Sequence, residues 1–524
     1  MTADHPSVTR AAGIVGTATL LSRIFGFVRD VVIAGFFGAG MAADAFFVAF
    51  RIPNLLRRLF AEGSLTIAFV PVFTEYISHR GRPEAFRLAR SAVRLLSVLL
   101  AAASVAGILL APWIIHVIAP GFMALPPKYA LTVALTRFMF PYIFFIGLMA
   151  LCMGILNVLG HFAAPALAPV LLNLSMIAGV VFLSPHLERP VYGLAAGVLA
   201  GGLLQLVLQI PFLIRLGFHF WKAAPLMHPG LKRIGRLMVP AIFGAAVYQI
   251  NILVGTLLAS LLPAGSVSYL YYADRLVQFP LGIFAIATAT AVLPSLSRHA
   301  ANRNMEALRA TFAQAMNLVF FITVPAMVGL IVLRVPIVSL LFGRGAFDLA
   351  TVHLTASALL FYGVGLWAFS AVRIVVSLFY ALQDTRTPVK TAVVSIAANI
   401  VLSLVLMGRL RHGGLALATS LASMVNLALL CVYLRRRLGT LKSTGMGRSL
   451  VRTTVCSLLM GLVVAAAARY LIPAPDAASG RLLFGVAAAI FAGVATYLLL
   501  AWRLKSPELR DVLKIRSKRG KESG

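Results

Sequence analysis

The 524-residue chain is 60% hydrophobic and 12% charged, with a mean hydropathy of +0.95, which excludes a soluble globular protein and points to a polytopic membrane protein. Its 46 Lys and Arg against 15 Asp and Glu leave a net charge of +31, a value that in a soluble chain would suggest nucleic acid but here must first be set against membrane topology. Cys152, Cys431 and Cys456 lie in apolar runs without metal-ligand spacing, so no disulfide framework is implied.

The first predicted element, residues 12–36, follows the polar start MTADHPSVTR. Its apolar run is far longer than the hydrophobic region of a secretory signal and shows no persuasive cleavage site, so it is expected to persist as a first transmembrane helix. Further stretches long enough to cross a bilayer follow at 42–77, 91–118, 131–158, 165–184, 191–217, 236–262, 270–297, 314–340, 355–382, 388–408, 414–434, 450–471 and 482–503. The stretch at 42–77 is too long for one straight span. Pro53 and Pro71 free backbone carbonyls within it, which predicts a single kinked helix of the kind that lines cavities. The expected fold is therefore all-α, with fourteen transmembrane helices.

An even number of spans puts both termini on one side. With that side taken as the cytoplasm, inner tails and loops hold 30 basic residues, outer loops 8 and the spans 8, which sums to the 46 present. The largest inner clusters lie at 79–94, 215–236, 435–452 and 503–521. This asymmetry follows the positive-inside rule and accounts for most of the charge without nucleic acid; affinity for anionic lipid headgroups comes with it.

No second, soluble domain and no Walker-type phosphate loop is visible, so transport would draw on an external driving force. Two hairpins echo each other. Phe36, Phe37, Ala39 and Gly40 precede Arg51 and Pro53; Leu261, Leu262, Ala264 and Gly265 precede Arg275 and Pro280. They fall between helices 1 and 2 and between helices 7 and 8, the spacing of a six-helix repeat. That divides the chain into pseudo-symmetric lobes at 1–217 and 218–434, followed by 435–524 with two extra helices and a basic tail.

Eight arginines lie inside the spans: Arg23, Arg29, Arg51, Arg57, Arg58, Arg137, Arg275 and Arg373. Each costs about 2.5–3.5 kcal/mol on insertion scales, so such residues face a wet cavity or a partner. Asp30, Asp44, Glu62 and Asp274 share their segments, which leaves an excess of positive charge seeking an anion. Unpaired guanidinium groups repel each other by about 4 kcal/mol per pair at 4 Å and an effective dielectric of 20. Bidentate hydrogen bonding suits guanidinium to phosphate, which favours a pyrophosphate-bearing substrate over a halide. Arg58 and Glu62 are spaced i, i+4 and are expected to pair; Arg57 lacks such an acid and reads as a free cation. Asp44, near the outer end, is in position to pair with Arg29 or Arg275. Arg58, Arg137 and Arg373 suit structural roles at least equally well.

The runs SRIFGFVRD, FGAGMAADAFFVAFRIPNLLRRLFAEG, YYADRLVQFPLGIF, LPSLSRH and FYALQDTRTPVK closely resemble the MurJ (MviN) family of lipid II flippases, within the multidrug/oligosaccharidyl-lipid/polysaccharide exporter superfamily. The resemblance covers about 500 residues. It implies two lobes enclosing a central cavity, with helices 13 and 14 forming a groove for a polyprenyl tail. It also implies lipid II as substrate, carried from the inner to the outer leaflet of the bacterial cytoplasmic membrane, with transient contacts to the cell-wall synthesis machinery. Carried over residue by residue, it assigns Arg23, Arg29, Arg57 and Arg275 to substrate binding, and Ser22, Asp44, Asn54, Arg58, Glu62 and Arg373 to gating or support. A hydrogen bond at the Pro53 kink suits Asn54 equally.

Sodium coupling occurs in family members whose second lobe supplies a carboxylate with Asn and Thr oxygens. Here Asn399 and Ser403 are one turn apart, but no Asp or Glu occurs between Val389 and Leu434, so no metal is expected. No cofactor and no catalytic constellation is expected either, and the protein reads as a transporter rather than an enzyme. The driving force expected is the membrane potential, worth about 2.3 kcal/mol per charge per 100 mV. Two alternatives share part of this pattern: a flippase for another polyprenyl-linked oligosaccharide, and a multidrug or cation antiporter of the same superfamily. The antiporter would need intramembrane acids, the opposite of the charge present.

Overall fold

Helices α1 (His5–Phe37), α2 (Met41–Leu59), α3 (Leu65–Ile118), α4 (Pro126–Met139), α5 (Tyr142–Val158), α6 (Ala163–Ala178), α7 (Val191–Arg215) and α8 (Pro229–Ser260) make up most of one compact unit, Met1–Ser268, in the computed structural model. The structure describes residues 5–59, 65–439, 445–473 and 479–510. A second unit, Tyr269–Gly524, holds most of α9 (Ser266–Pro280) and then α10 (Ile286–Ala301), α11 (Met305–Val332), α12 (Arg334–Phe342), α13 (Leu349–Val364), α14 (Leu366–Ala381), α15 (Arg386–Leu410), α16 (His412–Leu438), α17 (Met446–Leu471) and α18 (Ser479–Arg503). Among the described residues every regular element is helical. Helices satisfy their own backbone groups, which hydrocarbon demands of a spanning segment.

Among the described residues ten helical segments are long and apolar enough to cross a membrane, and the pair α13 and α14, bent by 42°, makes up to eleven. α1 and α2, which carry five of the eight intramembrane arginines, are not among them. Of the expected single kinked helix at 42–77, α2 is described up to Leu59 and α3 from Leu65, and residues 60–64 lie outside the described residues. Within α3 the helix breaks at Gly81, whose φ of 78° suits glycine, so the stretch after it is a separate helix that carries the third predicted span.

In the first unit, α3 packs on α5 and α8, α6 on α1 and α7, and α2 on α4. Its largest core joins Phe69, Phe73 and Leu88 of α3 with Leu151 and Ile155 of α5 and Leu213 of α7. α6 and α7 approach backbone to backbone. A Cβ on Gly197 would lie 2.6 Å from the Ser175 carbonyl oxygen, so the small residues Gly193, Gly197 and Gly201 on α7 are needed for that contact. In the second unit α10, α11, α14 and α16 share a core that includes Phe312, Val319, Ile374, Leu378 and Leu430. α17 and α18 pack on each other and on α11, where the Tyr497 hydroxyl donates to the Phe321 carbonyl at 2.7 Å.

Among the described residues five helix ends, after α5, α7, α10, α14 and α18, have the same backbone pattern. After α5, Leu159 N, Gly160 N and His161 N donate to Ile155, Asn157 and Leu156 carbonyls; after α14, Leu382 N, Gln383 N and Asp384 N donate to Leu378, Tyr380 and Phe379. The middle residue is left-handed in both, Gly160 at φ 83° and Gln383 at φ 57°. This is a common helix C-cap, and it does not single out the fourth and tenth predicted spans.

Candidate functional site

Arg29, on α1, is 12% exposed and held on two sides. Its Nε and Nη2 donate to Asp30 Oδ1 at 3.0 and 2.7 Å, and its Nη1 donates to Asn173 Oδ1 at 2.9 Å. Asn173 Nδ2 in turn donates to the Ser22 carbonyl at 3.1 Å, so the Asn173 amide joins α6 to two turns of α1. Ser22 thus takes part through its backbone. Arg23 is exposed on α1. Asn173 was missed by sequence reasoning; the available signal was an amide in an otherwise apolar span.

On α2, Arg57 Nε donates to Asn54 Oδ1 at 3.1 Å. Arg57 is therefore not the free cation expected from its spacing: a neutral amide one turn earlier orients it. Asn54, directly after Pro53, thus makes a hydrogen bond beside that proline. Arg58 Nε is buried without a hydrogen-bond partner among the described residues, and the expected partner Glu62 lies outside them. Arg51 is half-buried on the same helix. Arg137 is exposed on α4, and its Nε donates to the Ile108 carbonyl at 3.2 Å, in line with a structural role.

Asp44 corrects a second expectation. It pairs with neither Arg29 nor Arg275 but with Lys128 of α4, Nζ to Oδ2 at 2.6 Å, with both side chains at most 2% exposed. Its carboxylate also accepts Gly265 N at 2.7 Å, Ser268 N at 2.9 Å and Ser268 Oγ at 2.6 Å. Asp44 thus fastens the start of α2 to α4 and to the turn between α8 and α9. Spacing rules do not reveal this partner, because Lys128 is 84 residues away and stood among outer-loop charges.

In the second unit, Arg275 on α9 donates from Nη2 to the Tyr271 hydroxyl at 3.0 Å, with its guanidinium carbon 4.9 Å from that ring's centre. The phenol supplies both a hydrogen bond and a cation–π contact without an opposing charge. Asp274, its chain neighbour, accepts from Gln278 Nε2. Arg373 is exposed on α14, where its carbonyl accepts from Ser377 Oγ at 3.0 Å. In the QDTRTPVK run, Asp384 accepts from Arg386 N, Thr387 N and Oγ1, and Arg437 Nη1 at 2.7 Å. The Thr387 backbone amide, then its hydroxyl and Arg437, overcome partial burial and hold the Asp384 carboxyl below its usual value. The motif thus closes the α14–α15 turn onto α16.

No group of three or more His, Cys, Asp or Glu able to hold a metal occurs among the described residues. Arg29, Arg57 and Arg275 are thus oriented by two amides, one acid and a phenol, and guanidinium groups are the side chains best suited to phosphate oxygens.

The sequence profile of the family described as "Lipid II flippase MurJ" matches residues 33–473. Among similar proteins, "Probable lipid II flippase MurJ" of Vibrio cholerae serotype O1 is 42% identical over 426 residues, covering 80% of this chain and 81% of that one. "Lipid II flippase MurJ" of Burkholderia cenocepacia is 40% identical over 434 residues, covering 82% and 84%. The solved structure "Lipid II flippase MurJ, inward closed conformation" superposes with a TM-score of 0.79 at 27% identity, covering 95% of this chain and 99% of that one. An inward-facing MATE family transporter of the MOP superfamily shares the fold, at a TM-score of 0.66 and 17% identity over 83% of this chain and 99% of the other. With the family profile spanning most of its length and relatives near 40% identity, this chain belongs to the MurJ family of lipid II flippases.

Proposed function

We propose that this multi-pass protein moves lipid II from the inner to the outer leaflet of the bacterial cytoplasmic membrane by alternating access, with both termini in the cytoplasm. The observation that carries the reading is the way Arg29 and Arg57 are held: Asn173 and Asn54 fix their orientation while adding no negative charge. Asp30 cancels at most one of these charges. Arg23, Arg29 and Arg57, together with Arg275, receive the pyrophosphate of the substrate, whose sugar and peptide occupy water and whose tail stays in lipid. Guanidinium forks match that diphosphate, and its arrival relieves their mutual repulsion. The reading takes the chain as fourteen spans in two six-helix lobes, 1–217 and 218–434, with 435–524 as a site for the tail.

Asp44 acts as an outer latch. Closed, it holds Gly265 and Ser268; released, it lets the outer end open around the held anion. Arg58, Glu62 and Arg373 support the site, and the membrane potential biases the cycle. Complementation of a strain depleted of its own flippase tests the site. Arg23→Ala, Arg57→Ala and Arg275→Ala are expected to fail at normal protein levels, and Arg→Lys to be partly tolerated because lysine keeps charge but loses the fork. Growth supported by the alanine variants would overturn the site. Unchanged flipping in vesicles after collapse of the potential would overturn the driving force alone.

A further inference from the structure

We infer that Lys128 is the positioning charge that permits Asp44 to be buried when the outer latch closes. This rests on the reading of Asp44 as that latch. The four donors to Asp44 divide into two kinds. Gly265 N, Ser268 N and Ser268 Oγ are neutral and belong to the α8–α9 turn. Lys128 Nζ is charged and comes from the first turn of α4, 2% exposed. The neutral donors give direction to the carboxylate, but only the ammonium offsets its charge where water is excluded.

The ammonium is itself prearranged. It lies 3.9 Å from the centre of the Phe122 ring, a cation–π contact, at the end of a one-turn 3₁₀ segment, Pro120–Ala124. That segment also meets the end of α8: Gly121 N donates to Ser260 Oγ at 3.2 Å, and a Cβ on Gly121 would lie 2.1 Å from the Ser260 carbonyl oxygen. Phe122 and Lys128 therefore present their charge beside the same turn that Asp44 grips. When the turn departs, water reaches the carboxylate and the pair matters less. When it returns, the pair is what makes burial tolerable. Lys128 consequently favours the closed latch, and none of the eight arginines supplies that charge.

Hydrogen exchange on the full-length protein in lipid nanodiscs, read over residues 261–270, tests this. Lys128→Met is expected to raise exchange at Gly265 and Ser268 roughly ten-fold or more, because it leaves a bare buried carboxylate. Asp44→Asn should have a smaller effect, and the double variant should resemble Asp44→Asn alone rather than the product of both. Lys128→Arg should stay near the parent. Exchange over 146–156 checks that the first unit remains folded. Unchanged exchange in Lys128→Met, or simple multiplication of the two effects in the double variant, overturns the charge role and assigns Lys128 to packing on Phe122. If Lys128→Met loosens the turn while the flipping rate in proteoliposomes stays that of the parent, the charge role stands and the latch reading fails.

Discussion

Arg29 and Asn173, 144 residues apart in the chain, meet through a hydrogen bond of 2.9 Å that fixes one arm of the guanidinium while Asp30 takes the other side. The amide orients the charge without cancelling it. A hydrogen bond to a charged group contributes about 1.5–3 kcal/mol, so Asn173→Ala is expected to weaken apparent lipid II affinity roughly ten-fold or more. Asn173→Asp should be worse, since a second carboxylate at Arg29 would compete with the substrate's phosphates. Flipping by proteoliposomes across a range of lipid II densities separates affinity from maximal rate; equal rates for Asn173→Asp and the parent would contradict the assignment.

Glu508 provides a pH test outside the spans. It is 4% exposed and accepts from Ser449 Oγ, from Ser506 Oγ at 2.5 Å and from Arg452 Nη2 at 2.8 Å. Burial pushes its carboxyl up, but the two hydroxyls and Arg452 outweigh that and leave it below the ordinary value. A carboxyl lowered on folding adds stability above its unfolded pKa and loses it as pH falls through the folded one. The segment 504–510 is therefore expected to hold against the start of α17 at neutral pH and to release only in acid below the usual carboxylate range. Its exchange, measured from pH 7 downward, should show that release, and Glu508→Gln should have lost the holding already at neutral pH.

Gly197→Leu is expected to unseat α7 from α6. Its Cβ would lie 2.6 Å from the Ser175 carbonyl oxygen and 2.8 Å from Met176 Cα, both backbone atoms with little freedom to move. Overpacking of this kind costs about 1–3 kcal/mol or more, so protein level in the membrane and melting temperature in detergent should both drop. Gly408→Ala on exposed α15, where a new Cβ meets nothing within 4 Å, serves as the comparison and should leave both close to the parent.

Ten to eleven of the expected spans were legible among the described residues because apolar length marks them, whereas α1 and α2 do not pass that test. The exceptions are instructive. The break at Gly81 inside α3 depends on where the backbone turns, which apolar length does not encode. Likewise Arg57 looked free because rules for i, i+4 ion pairs consider acids, whereas the neutral Asn54 at i−3 accepts from its Nε.

By itself, the sequence determined that this chain lives in a membrane, that its α1 and α2 carry an excess of arginine, and that its motifs are those of MurJ flippases. These are properties of composition and local order. Tertiary structure decided the partners: Lys128 for Asp44, Asn173 for Arg29, Tyr271 for Arg275. Two of these three pairs join residues far apart in the chain, and which polar groups meet in a bilayer is settled by helix packing, where each buried donor or acceptor must find whatever group the neighbouring helix presents.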